Sequence, residues 1–244
     1  MKLSAPLYHL KRKAKLLSRA ENIPLHEALD RIARQEGFGG WSLLAAKLAA
    51  VSPAEKLFAR LAPGDLLLVG ARPGQGKTLM SLELAVQAMK AGRRSLFFTL
   101  EYTDRDILDR FRAIGVARAD FAGLFEFDSS DDLSSDYIVR RLAAAPRGTL
   151  VVVDYLQLLD QRRRNPELMV QVRALQSFAR DRGVIFVFIS QIDRLYDPLK
   201  KPCPDLGDVR LPNPLDLGLF TKTCFLNDGE VQFRTASQAR SASS

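Results

Sequence analysis

This sequence holds little of what a metal or disulfide scaffold needs. In 244 residues there are two cysteines, Cys203 and Cys224, and two histidines, His9 and His26, with no cluster at metal-ligand spacing. Two cysteines cannot form a disulfide framework. Long apolar runs are also missing: residues 184–190 (VIFVFIS) fall far short of the roughly 20 that a membrane-spanning helix needs. The first residues are polar and basic and lack the apolar centre of a secretory leader. A cytosolic protein with no membrane partner is expected.

Positive charge is what the chain has in excess. Thirty-six lysines and arginines face 28 acidic residues, for a formal net charge of +8 and a pI of about 9.7. Such an excess suits a polyanionic partner, nucleic acid before membrane. A basic surface that only confers solubility explains the same number. With 47% hydrophobic and 26% charged residues, most of the chain should fold.

Two regions differ in periodicity. Up to about residue 55 the pattern is helical. Leu7, Leu10, Ala14 and Leu17 share one stripe, with Lys11, Arg12, Lys13 and Lys15 on the other faces. Pro24 opens a second helix with Leu25, Ala28, Leu29 and Ile32 on one side, and Gly37 stops it. A third follows "GFGGW". Helices this short bury little surface, so this module is expected to lean on the rest of the chain, on a partner or on a second copy. From residue 60 to 233, apolar runs (LLLVG, SLFFTLE, LFEFD, TLVVVDYLQLL, VIFVFISQ) alternate with helical stretches, the pattern of an α/β parallel sheet covered on both faces. Residues 234–244 read as a mobile tail.

The first of those runs enters the loop Ala71, Arg72, Pro73, Gly74, Gln75, Gly76, Lys77, Thr78, and a helix begins there. Free amides at a helix start favour an anion, and glycines let the backbone approach phosphate closely. Lys77 can reach the β- and γ-phosphates of ATP, and the Thr78 hydroxyl can ligate Mg²⁺. Ala71 stands where the motif's first glycine is usual, with Gly70 one place earlier. Asp154, after the run TLVVV, can hold the metal shell through water. Glu101, after SLFFTL, either polarises the attacking water, if its strand neighbours the loop, or caps the helix that follows. Gln191 ends VIFVFIS and belongs at the same carboxyl edge, where it can touch the γ-phosphate.

Taken in order, "LAPGDLLLVGARPGQGKT", "FFTLEY", "TLVVVDYLQLL" and "VIFVFISQIDR" resemble successive motifs of the DnaB-type replicative helicase motor, a RecA-like ATPase. The resemblance covers residues 60–226 and leaves out the N-terminal helices. It implies ATP and Mg²⁺ as ligands, with Lys77 and Thr78 binding them, Asp154 supporting the metal, Glu101 activating water and Gln191 sensing the γ-phosphate. It also implies single-stranded DNA as partner, met by Arg162, Arg163 and Arg164 after the Asp154 strand and by Lys200 and Lys201 after the Gln191 strand, with Tyr196 available to stack on a base. Three departures stand out. The span from Glu101 to Asp154 is short, Gly207 replaces a usual arginine, and "KTCFLNDGEVQF" lacks the Lys-x-Arg-x-Gly stretch that supplies a neighbouring subunit's basic finger. Lys222 or Arg234 could supply that charge instead, and weak or conditional oligomerisation is expected. The reading from sequence is therefore a DnaB-like motor or remodeller on single-stranded DNA. The alternatives are a regulatory or adaptor ATPase that switches a protein partner and, from the missing finger, a nucleotide-binding module with little turnover.

Overall fold

In the computed structural model, which describes residues 4, 7–48, 52–121, 123–160, 165–211 and 213–235, the first helical patterns become α1 (Leu7–Glu21), α2 (Leu25–Gln35) and α3 (Trp41–Leu48). Their apolar stripes close on one another: Leu10, Ala14, Ala28, Ile32, Ala33 and Leu44 are buried together. Asp30 on α2 accepts the amide of Trp41 at 2.8 Å, satisfying a free donor at the start of α3. These helices belong to one compact unit, Met1–Pro53 with Asp228–Glu230; the second is Ala54–Asn227 with Val231–Ser244. Of the tail expected from 234, residues 236–244 lie outside the described residues.

All but the first residue of α4 (Pro53–Phe58) falls in the second unit, whose sheet has seven strands: β1 (Leu66–Ala71), β2 (Ser95–Thr99), β3 (Phe125–Asp128), β4 (Leu150–Asp154), β5 (Ile185–Gln191), β6 (Lys222–Asn227) and β7 (Glu230–Thr235, in this unit from Val231). They lie in the order β3-β2-β4-β5-β1-β6-β7, and every pairing from β3 to β6 is parallel. Alternate residues feed two cores. Leu67 and Val69 of β1 and Val152 of β4 join one core with α5 (Lys77–Lys90) and α6 (Asp104–Ala113). Leu68, Val151 and Val153 join the other with α7 (Ser135–Arg141) and α8 (Leu168–Arg182). Burial on both faces is why these strands read as continuous apolar runs. At the amino edge, Asp65 accepts from Thr221 (2.8 Å) and Lys222 (2.7 Å), fastening the start of β1 to that of β6.

Gly70 has a packing role. It sits opposite Phe225 on β6, and a Cβ added there would lie 2.7 Å from the ring and 3.2 Å from Ile192. Gly70→Ala is expected to destabilise the fold by about 1–3 kcal/mol through overpacking, read as a lower midpoint in urea with an unchanged slope.

Candidate functional site

The register of the sheet brings the sequence-predicted residues to one edge. Ala71 pairs with Gln191, and Thr99 pairs with Asp154, so β1, β2, β4 and β5 all end together. The loop after β1 opens into a cleft of about 420 Å³ lined by Gly74, Gly76, Lys77, Thr78, Glu101, Arg110, Asp154 and Gln191. Gly74 and Gly76 have φ of +77° and +88°, a backbone region that side chains disfavour, with open space above both. Ala71 is still in the strand and fully buried, so the motif's first position here needs no glycine. The turn closes where the Gln75 amide donates to the Arg72 carbonyl (3.3 Å). Lys77 Nζ donates to the same carbonyl at 3.3 Å. Burial lowers the Lys77 pKa, while Asp154 and then Glu101 pull it back up. This is a partly desolvated cation facing a helix start, a cradle for phosphate.

The two acids occupy different surroundings. Asp154 is 1% exposed and accepts from the Thr78 hydroxyl at 3.2 Å. A hydroxyl and a carboxylate side by side are hard oxygen donors that fit Mg²⁺. No group of three or more His, Cys, Asp or Glu at ligating distance exists among the described residues, so phosphate and water would complete the coordination. Burial, reinforced by the charge of Glu101, pushes the Asp154 carboxyl up to about 7, against the pull of Thr78, Lys77 and Arg110. Between roughly pH 4 and 7 the folded protein thus holds a proton that the unfolded chain has released, and nucleotide-free stability falls as pH rises through that window. Asp154→Asn, with no charge to bury, should raise the melting temperature of the nucleotide-free protein most at pH 8. The gain should shrink towards pH 4, and a pH-independent gain would rule out the buried charge as its cause.

Glu101, by contrast, is exposed at the mouth of the cleft. Its strand does not neighbour β1, because β4 and β5 lie between them. It reaches the site because it lies two residues past β2, where its amide donates to Thr99 Oγ1 at 3.0 Å. The helix-cap alternative is overturned. Thr103 is the N-cap of α6, in a reciprocal pair with Asp106 that satisfies both backbone amides. One residue that the sequence reading missed is Arg110, on α6, which lines the cleft with its guanidinium 4.4 Å from the centre of the Tyr102 ring. Its only sequence signal is its place two helical turns after the cap, and that signal becomes meaningful only once α6 is known to face the cleft.

Gln191 lines the cleft, and its carbonyl accepts the Arg210 amide at 2.8 Å. Gln157 of the "DYLQL" stretch donates to the Arg210 carbonyl at 2.9 Å and lies 3.4 Å from Ser190 Oγ. The ends of β4 and β5 are thus tied to the segment 208–210. Gly207 sits just before it in a 3-10 turn capped by Asp205, and the exposed cation of this segment is Arg210.

The expected DNA contacts fare unequally. Arg162, Arg163 and Arg164 lie outside the described residues. Lys200 is exposed and only 4.0 Å from Asp197 at the surface, whereas Lys201 is held by Asp205 and Asp208, each at 2.6 Å. Tyr196 is 5% exposed and donates its hydroxyl to the Lys201 carbonyl, so it cannot stack on a base as expected. Lys222 is likewise excluded as a finger by its ion pair with Asp65 at the opposite edge of the sheet.

A mostly parallel sheet with β1 between β5 and β6, a glycine loop opening from β1 into a helix and a threonine–aspartate pair beside the lysine define the fold of a RecA-like P-loop ATPase. The family described as the DnaB-like helicase C terminal domain matches residues 51–119 and 128–213, and the chain belongs to that family. Among curated proteins it is similar to the replicative DNA helicase DnaB of Pasteurella multocida, at 27% identity over 223 residues covering 76% of this chain and 47% of that protein. The DnaB of Mycoplasma pneumoniae is 25% identical, covering 74% of this chain and 47% of its own. The chain therefore spans about half the length of the curated relatives it matches. Two solved structures share the fold. The ATPase domain of G40P has a TM-score of 0.56 at 19% identity, over 79% of this chain and 91% of that one. A DnaB-like replicative helicase, solved in a study of its interactions with primase, gives 0.55 at 20%, over 91% and 66%.

Proposed function

We propose that this protein hydrolyses ATP in the cleft at the carboxyl edge of the sheet and uses the cycle to act on single-stranded DNA. The observation that carries the reading is the convergence of Lys77, Thr78, Glu101, Asp154 and Gln191 on one cleft of a DnaB-family domain. The amides at the start of α5 and the Lys77 ammonium bind the β- and γ-phosphates and stabilise charge that builds in the transition state. Glu101, solvent-facing and free of the α6 cap, orients water and accepts its proton. Thr78 and Asp154 would hold Mg²⁺, which would supply charge neutralisation for the phosphates. Arg110 places a second cation on the α6 side of the γ-phosphate position, within the same chain. Gln191 is the γ-phosphate sensor, and its bond to the Arg210 backbone passes a shift to the 208–210 segment. Lys200 and the run Arg162, Arg163, Arg164 serve as contacts for DNA phosphates.

The deciding experiment is steady-state ATP hydrolysis by the full chain with and without an oligothymidine strand. Stimulation by the strand supports the motor reading. Hydrolysis that ignores DNA would overturn it in favour of the partner-switching ATPase.

A further inference from the structure

The helical unit carries a charge excess that its own structure leaves uncompensated. Residues 1–53 hold nine lysines and arginines against four acids, a net +5, and Asp228 and Glu230 of the same unit bring it to +3. Each of the four acids of residues 1–53 is occupied within the unit. Glu21 and Glu27 both pair with Arg31, at 2.6 and 2.9 Å. Asp30 accepts the Trp41 amide at the start of α3, and Glu36 accepts from Ser4. Of the α1 cations, Lys13 feels the charge of Glu36; none of these four acids forms an ion pair with Lys11, Arg12, Lys15 or Arg19.

On α1, Lys11, Lys15 and Arg19 recur every four residues, with Arg12 beside them, and all four are exposed. Residues four apart share a helix face, about 6 Å of rise from one to the next. The stripe is therefore a straight row of cations some 12 Å long, without a carboxylate partner for any of them among the described residues. Leu16, 58% exposed, lies beside it. A bilayer does not suit this helix. Its apolar face, Leu10 and Ala14 at 1% and 0% exposure, is already spent on the helical core and cannot insert.

We propose that the α1 stripe of Lys11, Arg12, Lys15 and Arg19 is a second nucleic-acid contact, which binds the phosphate backbone of single-stranded DNA outside the ATPase cleft. A flexible strand can lay successive phosphates along a straight row of cations, with affinity set by counterion release. The choice of DNA as the polyanion rests on the motor reading above; the uncompensated row of charge does not. Such an anchor would keep the strand near the motor while the cleft cycles, raising its effective concentration.

The test uses the full chain and fluorescence anisotropy of a fluorescein-labelled oligothymidine strand across a salt series. The variant combines Lys11→Ala, Arg12→Ala, Lys15→Ala and Arg19→Ala. All four side chains point to solvent, so its melting curve should match the parent's. It should bind at least tenfold more weakly at about 0.1 M salt, with basal ATP hydrolysis unchanged, and the slope of log affinity against log salt should flatten by about 0.7 per lost phosphate contact. Lys11→Arg with Lys15→Arg should retain parental affinity. Equal affinity and slope for parent and fourfold variant would overturn the inference. So would an unchanged DNA affinity accompanied by lost binding of a polyglutamate peptide, which would assign the stripe to an acidic protein. DNA binding that weakens in the variant while the parent's hydrolysis ignores DNA would sink the motor reading and leave this one standing.

Discussion

Lys77→Ala should yield a folded protein whose ATP turnover falls by a factor on the order of 10²–10³ or more, with nucleotide affinity strongly reduced. Loss of a single preorganised charge donor at a transition state commonly costs this much. Among the described residues the cation has no carboxylate partner at bonding distance; it donates to the Arg72 carbonyl at 3.3 Å. Its burial lowers its pKa, so holding the charge there costs free energy until a polyanion arrives. Alanine relieves that cost, and the melting temperature without nucleotide should not fall. The measurements are phosphate release, binding of a fluorescent ATP analogue, and thermal denaturation. Turnover at the parental rate would refute the phosphate-loop assignment, whereas a cooperative loss of fold would mean that Lys77 is structural.

Glu101→Gln is expected to separate binding from chemistry. The amide keeps the shape and the position after β2 but cannot take a proton from water, so hydrolysis should drop by about 10²–10⁴-fold at near-parental ATP affinity. The α6 cap makes this a clean experiment. Thr103 and Asp106 satisfy each other, so the substitution leaves the helix start intact, and because it removes a charge that repels Asp154 the melting temperature should not fall. Arg110, stacked on Tyr102 in the same cleft, sits where it can steady the phosphate in either protein. Single-turnover phosphate release alongside equilibrium nucleotide binding makes the distinction. Parental hydrolysis in the variant would take the base role away from Glu101.

What could be read without coordinates is local. The run ending in Gly70 and Ala71, the glycines at 74 and 76 and the Gly76-Lys77-Thr78 step state their chemistry within a few residues, because a strand, a tight turn and a helix start are short-range events. Asp154 was legible for the same reason: a carboxylate closing a fully apolar strand needs compensation wherever that strand lies. The helical repeat likewise placed Leu10, Ala14, Ala28 and Ile32 on the inward faces of α1 and α2, whereas Leu25, expected on the same stripe, is exposed.

Whatever depends on two distant segments meeting had to wait for the fold. Whether Glu101 reaches the cleft beside Lys77 could not be told from its strand, since β2 stands three places from β1; the sheet register and the turn after β2 decide it. Arg110 became a site residue only because Thr103 starts α6 at the phase that turns position 110 to the cleft. Lys222, Lys201 and Tyr196 looked available in sequence and are not, because Asp65, Asp205 with Asp208, and the Lys201 carbonyl engage them. An isolated charge or ring in a sequence carries no information about its partner. For this protein, then, the sequence by itself determined the phosphate-loop motif and the parallel-sheet class, both written in short-range pattern. The tertiary structure alone decided which cations remain free to meet a ligand, because pairing is settled by side chains far apart along the chain and adjacent in space.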